Sequence, residues 1–367
     1  MTVPLVDLRA EHDEIADEVR RGWALVIDRT AFILGEEGKA FESELAGFTG
    51  VRHCVAVANG TDALEIALRA CRIGPGDEVI VPANSFVASA LAVLRAGATP
   101  VLADVDSETL LVDAEHAARH TGPRTRAIMP VHLHGHVAPV AELRRLADEV
   151  GAVLIEDAAQ AHGAARGDTR VGAAGAMTAM SFYPAKNLGA YGDAGAVLTG
   201  SDELATSARA LRNYGSEARH EHDEQGFNSR LDELQAVVLR AKLRRLTRWN
   251  QARREAASRY DLLLADLEKV RRPSGADVDG SVWHLYVVRV PDRDKVLGRL
   301  NEAGIGAGVH YRTPIHLQGF AGPLGYEKGD FPVAEAACEE ILSLPLFPRI
   351  TLEQQERVVD ELDRALR

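Results

Sequence analysis

The chain is poor in cysteine and in aromatic side chains, and it has no long uninterrupted apolar run. Cys54, Cys71 and Cys338 are its three cysteines, and aromatic residues make up 5% of it. The cysteines are odd in number and widely spaced, which excludes a disulfide framework and a zinc-ligand pattern. A reducing cytoplasm is the expected setting. No run of about 18 apolar residues occurs, so no membrane-spanning helix is expected. The opening Met1-Thr-Val-Pro-Leu-Val-Asp-Leu8 has no basic segment followed by an apolar one, so no secretion signal is expected. Positive charge is scarce too: 42 Lys and Arg against 54 Asp and Glu leave a formal net charge of -12. That balance disfavours nucleic acid as a partner. Internal repeats and low-complexity tails are absent. What remains is 367 residues with 46% hydrophobic content, enough for a large core and for two domains.

Short apolar runs stand at Val79-Ile-Val-Pro82, Thr99-Pro-Val-Leu-Ala-Asp104, Ala127-Ile-Met-Pro-Val-His132 and Val153-Leu-Ile-Glu-Asp157. Helical patterns lie between them, over 85–96 and 139–150. Strands alternating with helices predict an α/β fold built on a mostly parallel sheet. Several strands end in a polar or ionisable residue, and the carboxyl ends of such strands are where sites gather. Ser229-Arg-Leu-Asp232 resembles a capping box with Asp in place of Glu. A long helix is expected after it, through Leu246 and, with a break left open, on to Leu267. A strand-like 282–290 and helices near 293–303 and 352–366 follow. The division expected is a large domain over 1–245 and a smaller α+β domain over 246–367.

Four groups of residues carry chemistry. Gly60-Thr61 opens an amphipathic helix, and free amides at a helix start form an anion site. Alone, this turn reads more readily as an ordinary helix cap. Asp157 ends an apolar strand and would hold a pyridine nitrogen protonated by opposite charge, or equally cap the next helix. Gln160 follows three residues later and would reach a ring oxygen, and His162 shares the loop in a structural role. Lys186, 29 positions beyond Asp157, lies in Ser181-Phe-Tyr-Pro-Ala-Lys-Asn187, a segment with few other charges. A lysine there suits a Schiff base and a proton shuttle, although most lysines are surface charges. Ser181 would add a phosphate hydroxyl. Gly189, Gly192 and Gly195 follow a Gly-x-x-Gly-x-x-Gly spacing without a strand-turn-helix context, which excludes a dinucleotide fingerprint.

In this order and spacing, Gly60-Thr61, Asp157-x-x-Gln160, Ser181 and Lys186 resemble the fold-type I pyridoxal phosphate enzymes. The chain closely resembles the DegT/DnrJ-type sugar aminotransferases. The matching stretches run from Pro4-Leu-Val-Asp-Leu8 and Phe32-Ile-Leu-Gly35 through Gly74-Pro-Gly-Asp-Glu-Val79, Glu156-Asp-Ala-Ala-Gln-Ala-His-Gly163 and Ser181 to Asn187, ending at Leu342-Ser-Leu-Pro345. The resemblance implies an aspartate-aminotransferase-like fold, with a mostly parallel seven-stranded sheet sandwiched by helices and a smaller α+β C-terminal domain. It implies pyridoxal 5'-phosphate as cofactor, Lys186 as its Schiff-base lysine and Asp157 as the partner of its ring nitrogen. It also implies Gln160 at the ring oxygen, a phosphate cup of Gly60, Thr61 and Ser181, and Phe86 stacked on the ring. Asn228 would reach the phosphate of a neighbouring subunit, which implies a homodimer with shared active sites. Ala185 stands where many relatives carry Gly.

Leu211-Arg-Asn-Tyr-Gly-Ser216, Gly226 to Gln235 and His310-Tyr-Arg-Thr-Pro-Ile-His-Leu-Gln318 resemble the subgroup that aminates C3 of nucleotide-linked 3-keto-6-deoxyhexoses. L-Glutamate is the donor this implies and dTDP the carrier it favours. Tyr183, His310, Tyr311 and His316 are candidates for the sugar pocket, with Arg312 behind them. The His132-Leu-His-Gly-His136 cluster has no carboxylate within it, and no metal is expected. Amination at C4 is the alternative reading. A sugar dehydratase, which replaces the lysine by His, a silent relative and a nicotinamide-dependent reductase fit the residues less well.

Overall fold

In the computed structural model, which describes residues 2–216, 221–273 and 280–367, the short apolar runs assemble into one seven-stranded sheet. Its members are β1 (His53–Val57), β2 (Glu78–Pro82), β3 (Thr99–Ala103), β4 (Thr125–Ile128) and β5 (Val153–Asp157). After a small hairpin, β6 (Ala165–Arg166) and β7 (Thr169–Arg170), come β8 (Met177–Ser181) and β9 (Gly195–Thr199). The spatial order is β1-β9-β8-β5-β4-β2-β3. Pairing is parallel from β8 across to β3, and β9 runs antiparallel to both its neighbours.

Strands covered on both faces read as unbroken apolar runs, because neither side chain of the pleat meets water. Ile80, Leu154 and Leu198 face one layer, with Phe41 and Leu45 of α2 (Glu36–Thr49), Leu143 of α6 (Val140–Val150) and Leu239 of α8 (Glu233–Leu263). Their neighbours Val81, Ile155 and Val197 face the other. There they meet Leu64 and Leu68 of α3 (Gly60–Ala70), Val93 of α4 (Ala88–Arg95) and Leu211 of α7 (Asp202–Leu211). A side-chain period of two thus fills two cores from one strand.

A second body of packing forms around the antiparallel pair β10 (Tyr286–Arg289) and β11 (Ile341–Leu344). Its core joins Val288, Leu342 and Leu344 to Val296 and Leu300 of α9 (Arg293–Glu302) and to Val358 and Leu362 of α11 (Leu352–Leu366). α8 links the two bodies. Its 31 residues span roughly 46 Å and run unbroken through position 245 and past Leu246. Leu239, Leu243 and Leu246 sit in the first core, while Ala256, Ala257 and Tyr260 sit in the second.

Two local expectations are corrected. Ser229 does not cap α8, whose N-cap Asp232 makes no side-chain cap bond. The Ser229 hydroxyl instead donates to Asp62 Oδ2 (2.8 Å) and accepts the Ala58 amide (3.1 Å), tying the segment before α8 to the start of α3. The strand-like run over 282–290 shortens to 286–289. Val282 and Leu285 donate their amides to the Gly135 and His134 carbonyls and so leave the ladder.

Candidate active site

The carboxyl edge of the sheet gathers the site. The Asp157 amide donates to the Pro130 carbonyl (2.9 Å) and the Asp157 carbonyl accepts the His132 amide (3.0 Å), so the end of β5 is clamped to the loop after β4. The buried Asp157 carboxylate accepts from Ser89 Oγ (2.8 Å) and from the Ala159 amide (3.2 Å). Ser85 Oγ lies 3.0 Å from Ser89 Oγ, and since Ser89 gives its proton to Asp157, Ser85 is the donor between them. Burial raises the Asp157 carboxyl above its ordinary value, against Ser89, Ala159, Lys186 and His132, which all lower it. A carboxylate desolvated to this degree calls for a cation at its open side.

That cation is partly supplied by Lys186, half-buried in the turn after β8. Burial brings its ammonium down to about 8, although Asp157 pulls it upward. An amine in that range keeps most of its charge near neutral pH, yet has a far larger neutral fraction than an ordinary lysine, and the neutral form is what a nucleophile requires.

α3 starts directly beside this pair. Asn59 caps it by accepting the Asp62 amide (2.9 Å), and the Gly60 and Thr61 amides have no carbonyl a turn earlier to bond. Gly60 lies flush against β8: a Cβ there would stand 2.6 Å from Ser181 Cβ. Only glycine lets the helix start and the Ser181 hydroxyl share one spot, and amides, dipole and hydroxyl together suit an oxyanion group.

Across the cavity, Gln160 is held by both ends of its amide. Its Oε1 accepts the His134 amide (2.6 Å) and its Nε2 donates to the Tyr311 hydroxyl (3.1 Å), leaving the phenol proton to give. Burial, with Asp157, raises the Tyr311 phenol, so it stays protonated. The Phe86 ring lies 5.2 Å from that of Tyr311.

These groups enclose a cavity of about 480 Å³ lined by Gly60, Thr61, Phe86, Asp157, Gln160, Ser181, Tyr183, Lys186, His310 and Tyr311. Three site candidates singled out from the sequence, His316, Asn228 and Arg312, are not among them. His316 is buried, with Nε2 2.9 Å from Glu335 Oε1 and its ring against Phe331, so it holds α10 (Pro332–Glu340) and does not face this cavity. Asn228 is exposed and lies outside the cavity of its own chain. Arg312 is paired with Asp294 at 2.6 Å.

The three histidines of the 132–136 cluster are each engaged elsewhere. His132 accepts the Ala138 amide at Nδ1 (3.1 Å) and so donates from Nε2 to Glu156 (3.0 Å). Burial would raise Glu156, but bonds from His132, Gly175 and Thr178 outweigh it and its carboxyl is lowered. His134 donates from Nε2 to the His310 carbonyl (3.0 Å), and His136 meets Trp283 edge-on.

The sequence did not single out Ser89, His284 or Asp193, although Ser89 positions Asp157 and the other two line the cavity. Ser85 and Ser89 stand four apart, which would place them on one helical face. For His284 and Asp193 no sequence signal is visible.

The cavity fits pyridoxal phosphate. The α3 amides, Thr61 and Ser181 would hold its phosphate, Asp157 its ring nitrogen, Gln160 its ring oxygen, Phe86 one ring face and Lys186 its aldehyde carbon. Comparison with known proteins agrees. Residues 13–363 match the DegT/DnrJ/EryC1/StrS aminotransferase family. The chain belongs to this family. It is a pyridoxal phosphate-dependent aminotransferase. It is 45% identical over 359 residues to the dTDP-3-amino-3,4,6-trideoxy-alpha-D-glucose transaminase of Streptomyces venezuelae, covering 98% of this chain and 94% of that one. It is 44% identical over 362 residues to the erythromycin biosynthesis sensory transduction protein EryC1 of Saccharopolyspora erythraea, covering 99% of each chain. Its fold superposes on that of S. venezuelae DesV, solved in complex with a ketimine intermediate, with a TM-score of 0.96. The two are 43% identical, and the match covers 100% of this chain and 99% of that one.

Proposed function

We propose that the enzyme moves an amino group from L-glutamate to C3 of a nucleotide-linked 3-keto-6-deoxyhexose, with dTDP as the carrier, by a ping-pong scheme. The observation that carries this reading is the convergence of Lys186, Asp157, Gln160, Ser181 and the start of α3 on one cavity whose wall also includes Tyr183, His310 and Tyr311. The dTDP-3-amino sugar named for the S. venezuelae relative supports the C3 position and the carrier. When bound, the cofactor supplies an electron sink for the carbon that loses its proton.

The chain's own residues supply the rest. Lys186 would hold the cofactor through Nζ. Once free, Nζ would act as the base that takes a proton from the donor's α-carbon and as the acid that delivers one to C3 of the sugar. Asp157 keeps its charge opposite the ring nitrogen, and Ser89 keeps that carboxylate aimed. Gln160 and Tyr311 direct N–H and O–H donors into the cavity, where a ring oxygen or a sugar hydroxyl would accept them. Phe86 and Tyr311 form one wall of the cavity.

The working form is a homodimer. Phe32, Ile33 and Leu34 are three consecutive exposed apolar residues, a stretch that a second copy of the chain would cover. Asn228, exposed and outside its own cavity, would serve a partner's. A cytoplasmic location suits free thiols and a nucleotide-sugar substrate.

The purified enzyme should be incubated with L-glutamate and each C4 epimer of a dTDP-linked 3-keto-6-deoxyhexose, with UDP-linked counterparts alongside. The expected result is one 2-oxoglutarate for each 3-amino sugar formed, and no product with Lys186→Ala. Amination of a 4-keto sugar with none of the 3-keto sugars would overturn the C3 assignment, and a requirement for a different donor would overturn glutamate.

A further inference from the structure

Three imidazoles lie close enough to Lys186 for its charge to lower their affinity for a proton: His162, His284 and His310. Their hydrogen bonds make them different groups. His162 donates from Nε2 to the Ser181 carbonyl (2.9 Å), and its remaining Nδ1 is buried with no partner among the described residues. His310 shares Nδ1 with the Ser343 hydroxyl at 2.8 Å, and either atom can donate.

His284 has no such freedom. Carbonyl oxygens can only accept, and two of them fix the whole chain of bonds. The His162 carbonyl takes Asn250 Nδ2 (2.8 Å), so Asn250 Oδ1 is an acceptor. The Val282 carbonyl (2.8 Å) and Asn250 Oδ1 (3.0 Å) take both protons of Asn187 Nδ2. Asn187 Oδ1 must therefore accept, and the atom 3.2 Å from it, His284 Nδ1, must carry a hydrogen. In the neutral ring Nε2 is then a bare lone pair. It has no partner among the described residues, and its ring lines the cavity that holds Lys186. Burial keeps the ring neutral, with the charges of Lys186 and Arg253 adding to it.

We infer that His284 is a positioning residue for Lys186: its bare Nε2, open to the cavity, accepts an N–H from the lysine once an incoming amine has displaced it from the cofactor, and so holds Nζ inside the cavity. The inference rests on the reading of Lys186 as the cofactor-bearing amine. A neutral acceptor suits the task. A second carboxylate would add to Asp157 and hold the lysine as ammonium, and a cation would repel it. A neutral nitrogen orients Nζ and leaves its proton transferable. Asn187, the residue after Lys186, sets the tautomer, so one turn carries both the amine and the group that aligns its acceptor.

The test uses the pyridoxamine phosphate form of the full-length wild type, His284→Leu and His284→Gln, in which Lys186 is released. The pH dependence of Lys186 reductive methylation would be mapped by peptide mass spectrometry. In the wild type the midpoint should lie at or above about pH 8, because the acceptor adds to the balance of burial and Asp157. In His284→Leu the ammonium loses an acceptor, so the midpoint should fall by roughly 0.5–1 pH unit. His284→Gln, which retains a neutral acceptor, should return it most of the way. An unchanged midpoint in a folded Leu variant overturns the inference.

A crystal structure of the wild type in its pyridoxamine phosphate form needs no variant. His284 Nε2 should stand about 2.7–3.2 Å from Nζ, and another donor on Nε2 would overturn the inference equally. Borohydride fixing the cofactor on a different residue would remove the parent reading. That result is distinct from a Lys186 that carries the cofactor but is indifferent to His284.

Discussion

Lys186 owes its chemistry to what surrounds it. Burial lowers its ammonium to about 8 while Asp157 pulls the other way, and burial raises Asp157 while Lys186 lowers it. Each group is placed where the ionised form of the other is useful. Gly60 shows the same dependence from the side of the phosphate. Gly60→Ala places a methyl 2.6 Å from Ser181 Cβ and 3.1 Å from the Ser181 Cα, so backbone as well as side chain must give. The expected outcome is a stability loss of about 1–3 kcal/mol and a cofactor affinity at least about tenfold weaker. Thermal melting and titration of the cofactor-free protein with pyridoxal phosphate would measure the two. An unchanged affinity would mean that the α3 start and Ser181 do not hold one anion. His316 marks where single residues mislead. Its place in a segment resembling a sugar-binding one suggested the pocket, but Glu335 and Phe331 claim its ring.

At the scale of elements, α8 fixes the start of α2 through one buried carboxylate. Glu233 Oε1 accepts the amides of Gly35 (2.8 Å) and Gly38 (3.0 Å), and Oε2 accepts that of Glu37 (2.8 Å). Gly35 brings no side-chain cap of its own to α2, so Glu233 does that work from nearly two hundred residues away. Glu233→Gln turns one acceptor into a donor facing another donor. It should cost about 1–3 kcal/mol, read from the urea midpoint, with cofactor binding retained. An unaltered midpoint would show that the cap contributes nothing.

The alternation of strand and helix was legible because strands buried on both faces are apolar throughout, and β5 came out at its expected residues, Val153–Asp157. That Gly60, Asp157, Gln160 and Lys186 belong together was legible through their types and spacing, and the structure brings the four to one cavity. The capping role of Glu233, the bridging role of Ser229 and the partners of Val282 and Leu285 were not. Each depends on a contact far away in the chain, and no local pattern encodes it. His284 is the same case: its tautomer is set by Asn187, Asn250 and two carbonyls drawn from separate elements.

At the scale of the whole molecule, the proposal is two chains with two shared cavities. If Asn228 serves the partner's cavity, mixing inactive Lys186→Ala with poorly loaded Asn228→Ala subunits rebuilds one intact cavity in every hybrid dimer. Random exchange should then restore about a quarter of wild-type activity. No recovery, with subunit exchange confirmed by native mass spectrometry, would assign Asn228 to its own chain. All of this depends on where the cofactor is attached. The most direct measurement is borohydride reduction of the purified holoenzyme, followed by peptide mapping. The account predicts that the absorbance of the imine is bleached and that one phosphopyridoxyl group per chain is found on Lys186. A group found on any other residue, or none in a fully loaded enzyme, would contradict it.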